Sequence, residues 1–378
     1  MIASPESTPA PRVSRARLVW FASLVFCGVL PAVALVGLFV ATVQDDVVAL
    51  DFRQYYGAAE AILAGRTIYP DAGPATVWGG PYPYPPLPAL LAVPFTVLPY
   101  GTAGLVVMAL LVVCAAATLY VLEIRDWRCY GIVLFWPPVL SAVQTGNVTL
   151  VLALGCALVW KYRDRAVPGS IALGGMLAVK FFLWPLLVWM AATRRVAMAA
   201  LAAAVGVGLL LLSWVVIGFD GITGYSARLQ RLESFFGEDS YTVYIAGLDA
   251  GLPSGVARAV WLLVGFGLLA AVAVVARRGH EKAAFILAIA AALSLTPIVW
   301  LHYFALLVVV VALAQPRLGI VWFVPFGMVF TPGSGHPTPF QTSITLALAA
   351  TTIVLAVHAA WADDARGTRT SSTSPARA

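Results

Sequence analysis

The chain alternates long apolar runs with short polar islands. A helix that crosses the bilayer core needs about 20 residues, and several runs are shorter or are interrupted by proline, so half-helices and hairpins are expected among them. Non-helical backbone inside a membrane is tolerated only where protein buries it or where it lines a wet cavity, so these short segments predict an internal site. The apolar runs cover residues 18–40, 83–98, 100–122, 129–143, 146–160, 168–192, 196–218, 256–276, 283–299, 300–314, 317–332 and 342–361.

This pattern predicts an all-α polytopic membrane protein with about 10 to 13 membrane helices, short or broken ones included. The composition agrees, since 61% of the residues are hydrophobic and 11% are charged. The net charge of +6 comes mostly from arginines that flank apolar runs, so it carries topology information, and no nucleic-acid partner is expected. The four cysteines lack metal-ligand spacing and are predicted to be small core residues.

Basic islands predict which side of the membrane each loop faces, because cytoplasmic loops are enriched in lysine and arginine. The two long polar loops, 41–82 and 219–255, carry more acids than bases and are expected to face outward. In one arrangement 83–98 is re-entrant or interfacial, and 129–160 and 168–192 are hairpins that enter from the cytoplasm. Full crossings at 83–98 and 100–122 are the alternative. The basic islands lie at 12–17, 125–128, 161–165, 194–195, 277–282 and beyond Arg366.

These expectations give one domain, a membrane domain at 18–361. It follows a cytoplasmic N-terminal tail at 1–17 and precedes a cytoplasmic tail at 366–378. The low-complexity ends, 1–11 and 366–378, are expected to be disordered.

The segment 51–69, DFRQYYGAAEAILAGRTIY, is predicted to form an amphipathic helix from Phe52 to Ala64 that lies along the outer membrane surface and stops at Gly65. Asp51 then has two interpretations. It is the N-cap of this helix, or it is a carboxylate that acts as a general base toward a hydroxyl group at the lipid boundary. The predicted apolar face holds Phe52, Tyr55, Tyr56, Ala59, Ile62 and Leu63.

Polar residues inside apolar runs are the second group of candidates. Lys180, in GGMLAVKFFLWPLL, either meets an anion or wet cavity or pairs structurally with an acid or carbonyl. His302 and Tyr303 follow a helix break at Pro297, where a half-helix end can present polar groups to a ligand, although a lone histidine is also compatible with a core position. The tip QTGN (144–147) suits either a polyol ligand or a tight turn.

Two further segments are expected near such a site. The proline- and aromatic-rich segment 82–95, YPYPPLPALLAVPF, cannot start as an ordinary helix and is expected to form a wall beside the interfacial helix. The loop 220–255 is longer than a connector needs and is expected to cover a ligand; its Arg228 and Arg231 suit a phosphate or simply a solvated surface. The sequence has no Walker loop, Rossmann fingerprint, zinc-ligand cluster or nucleophile elbow.

Five motifs, in order along 51–303, resemble glycosyltransferase family 87: DFRQYYGAAEAILAGRTIY, YPYPPLPALLAVPF, GNVTLVLAL, GGMLAVKFFLWPLL and LTPIVWLHY. The resemblance implies a C-type glycosyltransferase (GT-C) fold and a polytopic enzyme of the cell membrane. Such an enzyme moves a hexose, expected to be mannose, from a polyprenyl-phosphate-sugar donor to a lipid-linked or glycan acceptor on the outer face, with inversion.

The resemblance also implies roles for individual residues. Asp51 corresponds to the acid that deprotonates the acceptor hydroxyl. The donor phosphate is assigned to Lys180 and His302, with Arg53 in reserve. The sugar and acceptor are assigned to Tyr55, Gln144, Asn147 and Tyr303. No cofactor is implied, and no ligand pattern compels a metal, although Asp45, Asp46, Asp51 and Asp71 offer carboxylates.

Two other function classes fit parts of the pattern. A transporter or lipid flippase would explain broken helices and an intramembrane lysine, but it predicts two related halves, and no paired motifs occur in this sequence. A non-catalytic membrane scaffold would leave Asp51, Lys180 and His302 without a shared purpose. Convergence of these three residues on one cavity open to lipid is the feature that favours the enzyme.

Overall fold

The computed structural model describes residues 15–44, 48–70, 82–331 and 337–371, and these ranges contain helices and no strand. The expected N-terminal disorder, the carboxylates of residues 45, 46 and 71, and residues 372–378 therefore lie outside the described residues. In chain order the helices are α1 (Ala16–Gln44), α2 (Leu50–Leu63), α3 (Pro86–Ala92), α4 (Tyr100–Val121), α5 (Trp127–Leu134), α6 (Pro137–Thr145), α7 (Thr149–Lys161), α8 (Ala166–Val179), α9 (Pro185–Ala192), α10 (Val196–Val216), α11 (Tyr225–Phe236), α12 (Val243–Asp249), α13 (Ser254–Arg277), α14 (Glu281–Leu295), α15 (Leu307–Ala314) and α16 (Pro339–Ser371).

Five helices, α1, α4, α10, α13 and α16, are long and apolar enough to cross a membrane within the described ranges. The bent pair α6–α7 raises this number to six, and five shorter apolar helices lie among them. The prediction of an all-helical, multi-pass membrane protein with short and broken segments is confirmed. The C-terminal tail predicted from residue 366 begins inside α16, which runs to Ser371.

The centre of the bundle is the segment Leu301–Ala314. It starts as a 3-10 helix, Leu301–Leu306, and continues as α15, and every side chain from Leu301 to Ala314 is buried. Helices that face lipid leave apolar side chains exposed, whereas this segment exposes none, so it occupies the core. His302 is thereby held at the start of the most enclosed element.

The predicted turn at the QTGN tip is confirmed, since α6 and α7 meet at 117°. Gly146 ends α6 with φ +67°, a left-handed conformation that favours glycine. A Cβ on Gly146 would lie 2.7 Å from Ala49 Cβ and 2.9 Å from Phe52 Cβ. The tip therefore packs directly on the beginning of α2.

The run at 168–192 is broken at Lys180. Helix α8 ends at Val179, Lys180 is extended (φ −144°, ψ 111°), and a 3-10 turn at Phe181–Leu183 leads into α9. The break removes Lys180 from the regular helical surface. Its side chain can then point away from the stripe that α8 packs against α10.

Three of the basic islands meet at one end of the bundle. Arg195 pairs with Asp164 (2.7 Å) and with Glu281, and Arg163 lies 3.6 Å from Glu281. These contacts join the α7–α8 connection, the start of α10 and the start of α14. The expectation that these islands face the same side is confirmed.

The second long loop packs over the first. Tyr225 on α11 donates a hydrogen bond to the Pro83 carbonyl (3.0 Å), and Arg228 donates to the Pro70 carbonyl (2.9 Å). Tyr69 stacks on Trp214 with ring centroids 5.3 Å apart. The loop therefore covers the segment that leads into the predicted wall.

Candidate active site

Asp51 lies in the first turn of α2 but does not cap the helix, so the N-cap interpretation is wrong. The helix starts at Leu50 after Ala49, which has φ +46° and makes no side-chain capping bond. The Asp51 carboxylate instead accepts a hydrogen bond from Asn147 Nδ2 at 2.6 Å. The close approach of the Gly146 turn supplies a donor from across the fold, which a local capping rule cannot anticipate.

Asn147 is fixed in the orientation that serves Asp51. Its Oδ1 accepts hydrogen bonds from the Thr149 backbone N–H (3.0 Å) and from Thr149 Oγ1 (2.6 Å), and both residues are fully buried. With the amide oxygen occupied by two donors, the Nδ2 group must face the carboxylate. Sequence reasoning missed Thr149, although Asn-x-Thr is the pattern of a side-chain turn in which asparagine bonds two residues ahead.

His302 faces the same carboxylate without a direct hydrogen bond. Its Nε2 lies 3.8 Å from Asp51 Oδ2, which is longer than a hydrogen bond, and it has no hydrogen-bond partner among the described residues. His302 is 4% exposed. Buried polar atoms are nearly always paired, so the Nε2 beside the Asp51 carboxylate is a candidate donor or acceptor for a ligand or water.

Lys180 lies in the same group. Its Nζ contacts the Tyr303 hydroxyl at 3.3 Å and sits 4.5 Å from the Tyr303 ring centroid and 5.5 Å from that of Tyr84. Lys180 is 7% exposed, and no carboxylate of the described residues lies within ion-pair distance of it. The alternative in which an acid pairs with Lys180 for structure alone is therefore not met.

Three tyrosines form one side of the site, as predicted for the wall. The Tyr55 and Tyr84 ring centroids are 4.9 Å apart, and those of Tyr55 and Tyr82 are 6.3 Å apart. Tyr69 fixes the wall by donating to the Tyr84 carbonyl at 2.7 Å. Tyr84 was missed as an individual site residue because nothing in the sequence shows that it faces Lys180.

Two predicted site residues lie apart from this group. Arg53 is exposed, with its guanidinium 5.6 Å from the Tyr100 ring centroid. Gln144 is exposed near the end of α6. The structure thus brings together Asp51, Tyr55, Asn147, Lys180, His302 and Tyr303.

A cavity of about 240 Å³ lies next to the Lys180 break. It is bounded on one side by the 3-10 turn that follows Lys180 and on the other by the end of α14. Phe181 and Pro297 are exposed at its edge. Its lining residues are Phe181, Phe182, Trp184, Leu295, Thr296 and Pro297.

The electrostatics of Asp51 suit proton transfer. Burial raises the pKa of the Asp51 carboxyl above its ordinary value, and the Asn147 hydrogen bond and the Lys180 charge lower this pKa in part. A carboxylate with a raised pKa is a stronger base once ionised. Among the described residues no group of three or more His, Cys, Asp or Glu could hold a metal ion.

The chain has a relative among known proteins. It is 27% identical, over an alignment of 292 residues that covers 68% of this chain and 67% of the relative, to a Mycolicibacterium smegmatis protein named polyprenol-phosphate-mannose-dependent alpha-(1-2)-phosphatidylinositol pentamannoside mannosyltransferase. No solved structure matches. The model of glycosyltransferase family 87 matches residues 82–301, which include Asn147 and Lys180 but neither Asp51 nor His302. Since that match covers more than half of the chain, the protein belongs to glycosyltransferase family 87, a family of membrane glycosyltransferases.

Proposed function

We propose that this glycosyltransferase moves mannose from a polyprenyl-phosphate-mannose donor to a hydroxyl of a lipid-linked or glycan acceptor. The relative's name supplies the donor class and the sugar. A lipid donor also suits a multi-pass membrane protein, because such a donor arrives through the bilayer. The proposal needs no nucleotide and no cofactor, since the donor carries its own phosphate leaving group.

One observation carries the mechanism: a partly buried acid, Asp51, and a buried cation, Lys180, lie in one group without pairing with each other. The Asp51 carboxylate faces the unpaired Nε2 of His302 at 3.8 Å, and Lys180 lies beyond, at the Tyr303 hydroxyl. A displacement at an anomeric carbon needs a base on one face and charge stabilisation on the other. Asp51 is proposed to supply the base, and Lys180 with His302 the charge stabilisation.

In the proposed reaction Asp51 accepts the proton of the acceptor hydroxyl as that oxygen bonds to the anomeric carbon. The bond from that carbon to the donor phosphate breaks, and its electrons leave with the polyprenyl phosphate. Attack opposite the leaving group inverts the anomeric configuration. Lys180 and His302 stabilise the phosphate charge, the latter through Nε2.

The remaining residues receive supporting roles. Asn147 is proposed to orient Asp51 and not to bind sugar directly, because it is fully buried, its amide oxygen accepts two bonds from Thr149 and its Nδ2 donates to Asp51. Tyr55 and Tyr303 are proposed to contact the sugar or acceptor. Arg53 and Gln144, both exposed, are proposed as contacts at the entrance. The site is proposed to face outward across the cell membrane, as the acid-rich loops indicate.

The test is transfer of labelled mannose from polyprenyl-phosphate-mannose in membranes that contain the wild type, Asp51→Asn or Glu60→Gln. Glu60 is the matched control, an exposed acid on the same helix. Loss of the general base predicts at least a ~100-fold lower rate for Asp51→Asn and no loss for Glu60→Gln. Full activity of Asp51→Asn would refute the base assignment, and failure of the wild type to use any polyprenyl-phosphate sugar would refute the donor class.

A further inference from the structure

A second cavity, of about 750 Å³, lies far from the candidate active site. It is formed between the first half of α1 and the connection from α4 to α5. No part of the proposed reaction uses it. Its lining residues are Ala16, Val19, Trp20, Ser23, Arg125, Asp126, Trp127 and Arg128.

One edge of the cavity is set by a close contact between α1 and α5. Helix α1 contains a π-helical turn at Val25–Val29, and a Cβ on Gly131 of α5 would lie 1.6 Å from the Cys27 carbonyl oxygen. Only glycine permits this approach, so α1 and α5 are locked together at Cys27 and Gly131. The cavity opens beside this contact, toward the start of α1.

Two helices place the cavity on the membrane surface opposite Asp51. Helix α4 starts at Tyr100, whose hydroxyl bonds the Val48 carbonyl beside α2, and ends at Val121. Its 22 residues span about 33 Å, a full bilayer core. Helix α1 likewise ends at Gln44, shortly before Asp51, so its first turns lie at the far side. The cavity is therefore on the side that carries the basic islands.

The lining carries an excess of positive charge in a rigid setting. The Asp126 carboxylate accepts hydrogen bonds from Arg128 Nε (2.9 Å) and Nη2 (2.7 Å). It also accepts one from the Leu318 backbone N–H (3.1 Å). These bonds fix the Arg128 guanidinium and leave its Nη1 edge without a partner among the described residues. Arg125 is exposed and has no ion-pair partner in the described ranges.

The aromatic residues match a membrane interface. Trp20 and Trp127 are 61% and 46% exposed, and tryptophan is enriched at the level of lipid headgroups. Only 11% of the apolar window of α1 is buried by protein, so lipid surrounds this helix. Arginine offers planar paired donors that fit a phosphate group.

We propose that this cavity binds the headgroup of an anionic glycerophospholipid from the leaflet opposite the active site. The phosphate lies against Arg125 and the Nη1 edge of Arg128, and the acyl chains run along the exposed surface of α1. The lipid fills the space between α1 and α5 and tethers the first helix to the bundle. Basic pockets between membrane helices are recognised sites for such headgroups.

The experiment is a titration of the purified full chain in detergent with dioleoylphosphatidylglycerol or dioleoylphosphatidylcholine, followed by native mass spectrometry. The wild-type protein is expected to retain the anionic phosphatidylglycerol in preference to the zwitterionic phosphatidylcholine. Arg125→Gln is expected to weaken retention about fivefold, and Arg165→Gln, an exposed arginine outside the cavity, is expected to have no effect. Ser23→Phe, which narrows the cavity without changing charge, is expected to weaken retention as well.

Equal weakening by Arg125→Gln and Arg165→Gln would overturn the proposal, because it would indicate diffuse surface attraction. Equal retention of the two lipids by the wild type would also overturn it. The melting temperature of each variant separates lost lipid binding from lost folding. A Ser23→Phe protein that melts normally and still retains phosphatidylglycerol would show that the cavity is not the site.

Discussion

The two charged groups of the bundle, at its opposite ends, are organised in opposite ways. At the basic end Arg195 is paired with Asp164 and Glu281, and Asp164 is 69% exposed at its side chain. At the other end Lys180 is buried and has no ion-pair partner among the described residues, and the buried His302 lies 3.8 Å from Asp51 with its Nε2 not hydrogen-bonded. Paired charges near water help to hold the helices together. An unpaired charge in the core costs free energy, and it persists where a ligand of opposite charge pairs with it.

The strongest test of this comparison is Lys180→Met. It replaces a buried, unpaired ammonium with an apolar side chain of similar length. Sugar transfer is expected to fall by about 100- to 1,000-fold, while the melting temperature stays level or rises, because the cost of burying the charge disappears. Transfer assays and thermal melts in the same detergent measure both. Lys161→Met, at an exposed lysine, is the control, and a large drop in melting temperature for Lys180→Met would instead make Lys180 a structural residue.

The fall of activity at low pH, called the acid limb of the pH profile, gives a second test. The ionised form of Asp51 is the base, and burial raises its pKa, so activity is expected to fall on acidification at a higher pH than for an ordinary carboxyl group. Asn147→Ala removes a hydrogen bond that lowers this pKa, so the limb is expected to move to still higher pH. Profiles of kcat/KM against pH for both proteins measure the shift. A limb that moves down, or stays in place, would separate Asn147 from the base.

Thr149→Val tests the orientation of Asn147 more gently. Valine keeps the shape of threonine and removes the hydroxyl, so the Asn147 oxygen keeps only its backbone donor. The loss of one hydrogen bond of about 1 kcal/mol predicts an approximately fivefold lower transfer rate at neutral pH. The acid limb of Thr149→Val should lie between those of the wild type and Asn147→Ala. Thr118→Val on α4, whose buried hydroxyl is bonded to the Cys114 carbonyl, is the matched comparison, because the hydroxyl of Thr145 also contacts Asp51.

The smallest effect on activity is expected at the basic end. Arg195→Met breaks the contacts to Asp164 and Glu281 and is expected to lower the free energy of unfolding by about 1 kcal/mol, with transfer unchanged. Melting at low and high salt measures this, because the loss should shrink as salt screens the wild-type pairs. A loss of transfer larger than the loss of folded protein would show that the two ends are coupled.

The local signals in the sequence predicted much of this fold. Gly65 ends α2 with φ +64°, Gly146 turns the tip, and the 168–192 run breaks, as the glycine, proline and hydropathy patterns indicated. The partner of Asp51 was beyond such rules, because Asn147 is 96 residues away and its approach depends on the missing Cβ of Gly146. Arg53 and Lys180 looked similar as cations. Yet Arg53 lies two positions after Asp51 on α2, about 200° around the helix axis. Helical geometry alone therefore predicts that Arg53 points away from Asp51.

The position of His302 at the start of the core helix has a consequence for biosynthesis. Asp51 and His302 face each other across a sequence separation of 251 residues. A growing chain inserts Asp51 with its earliest helices, and the opposing imidazole follows only after α14 has left the ribosome. The two halves of the cluster therefore remain unassembled through most of translation, and a chain released early carries the acid but not its counterpart.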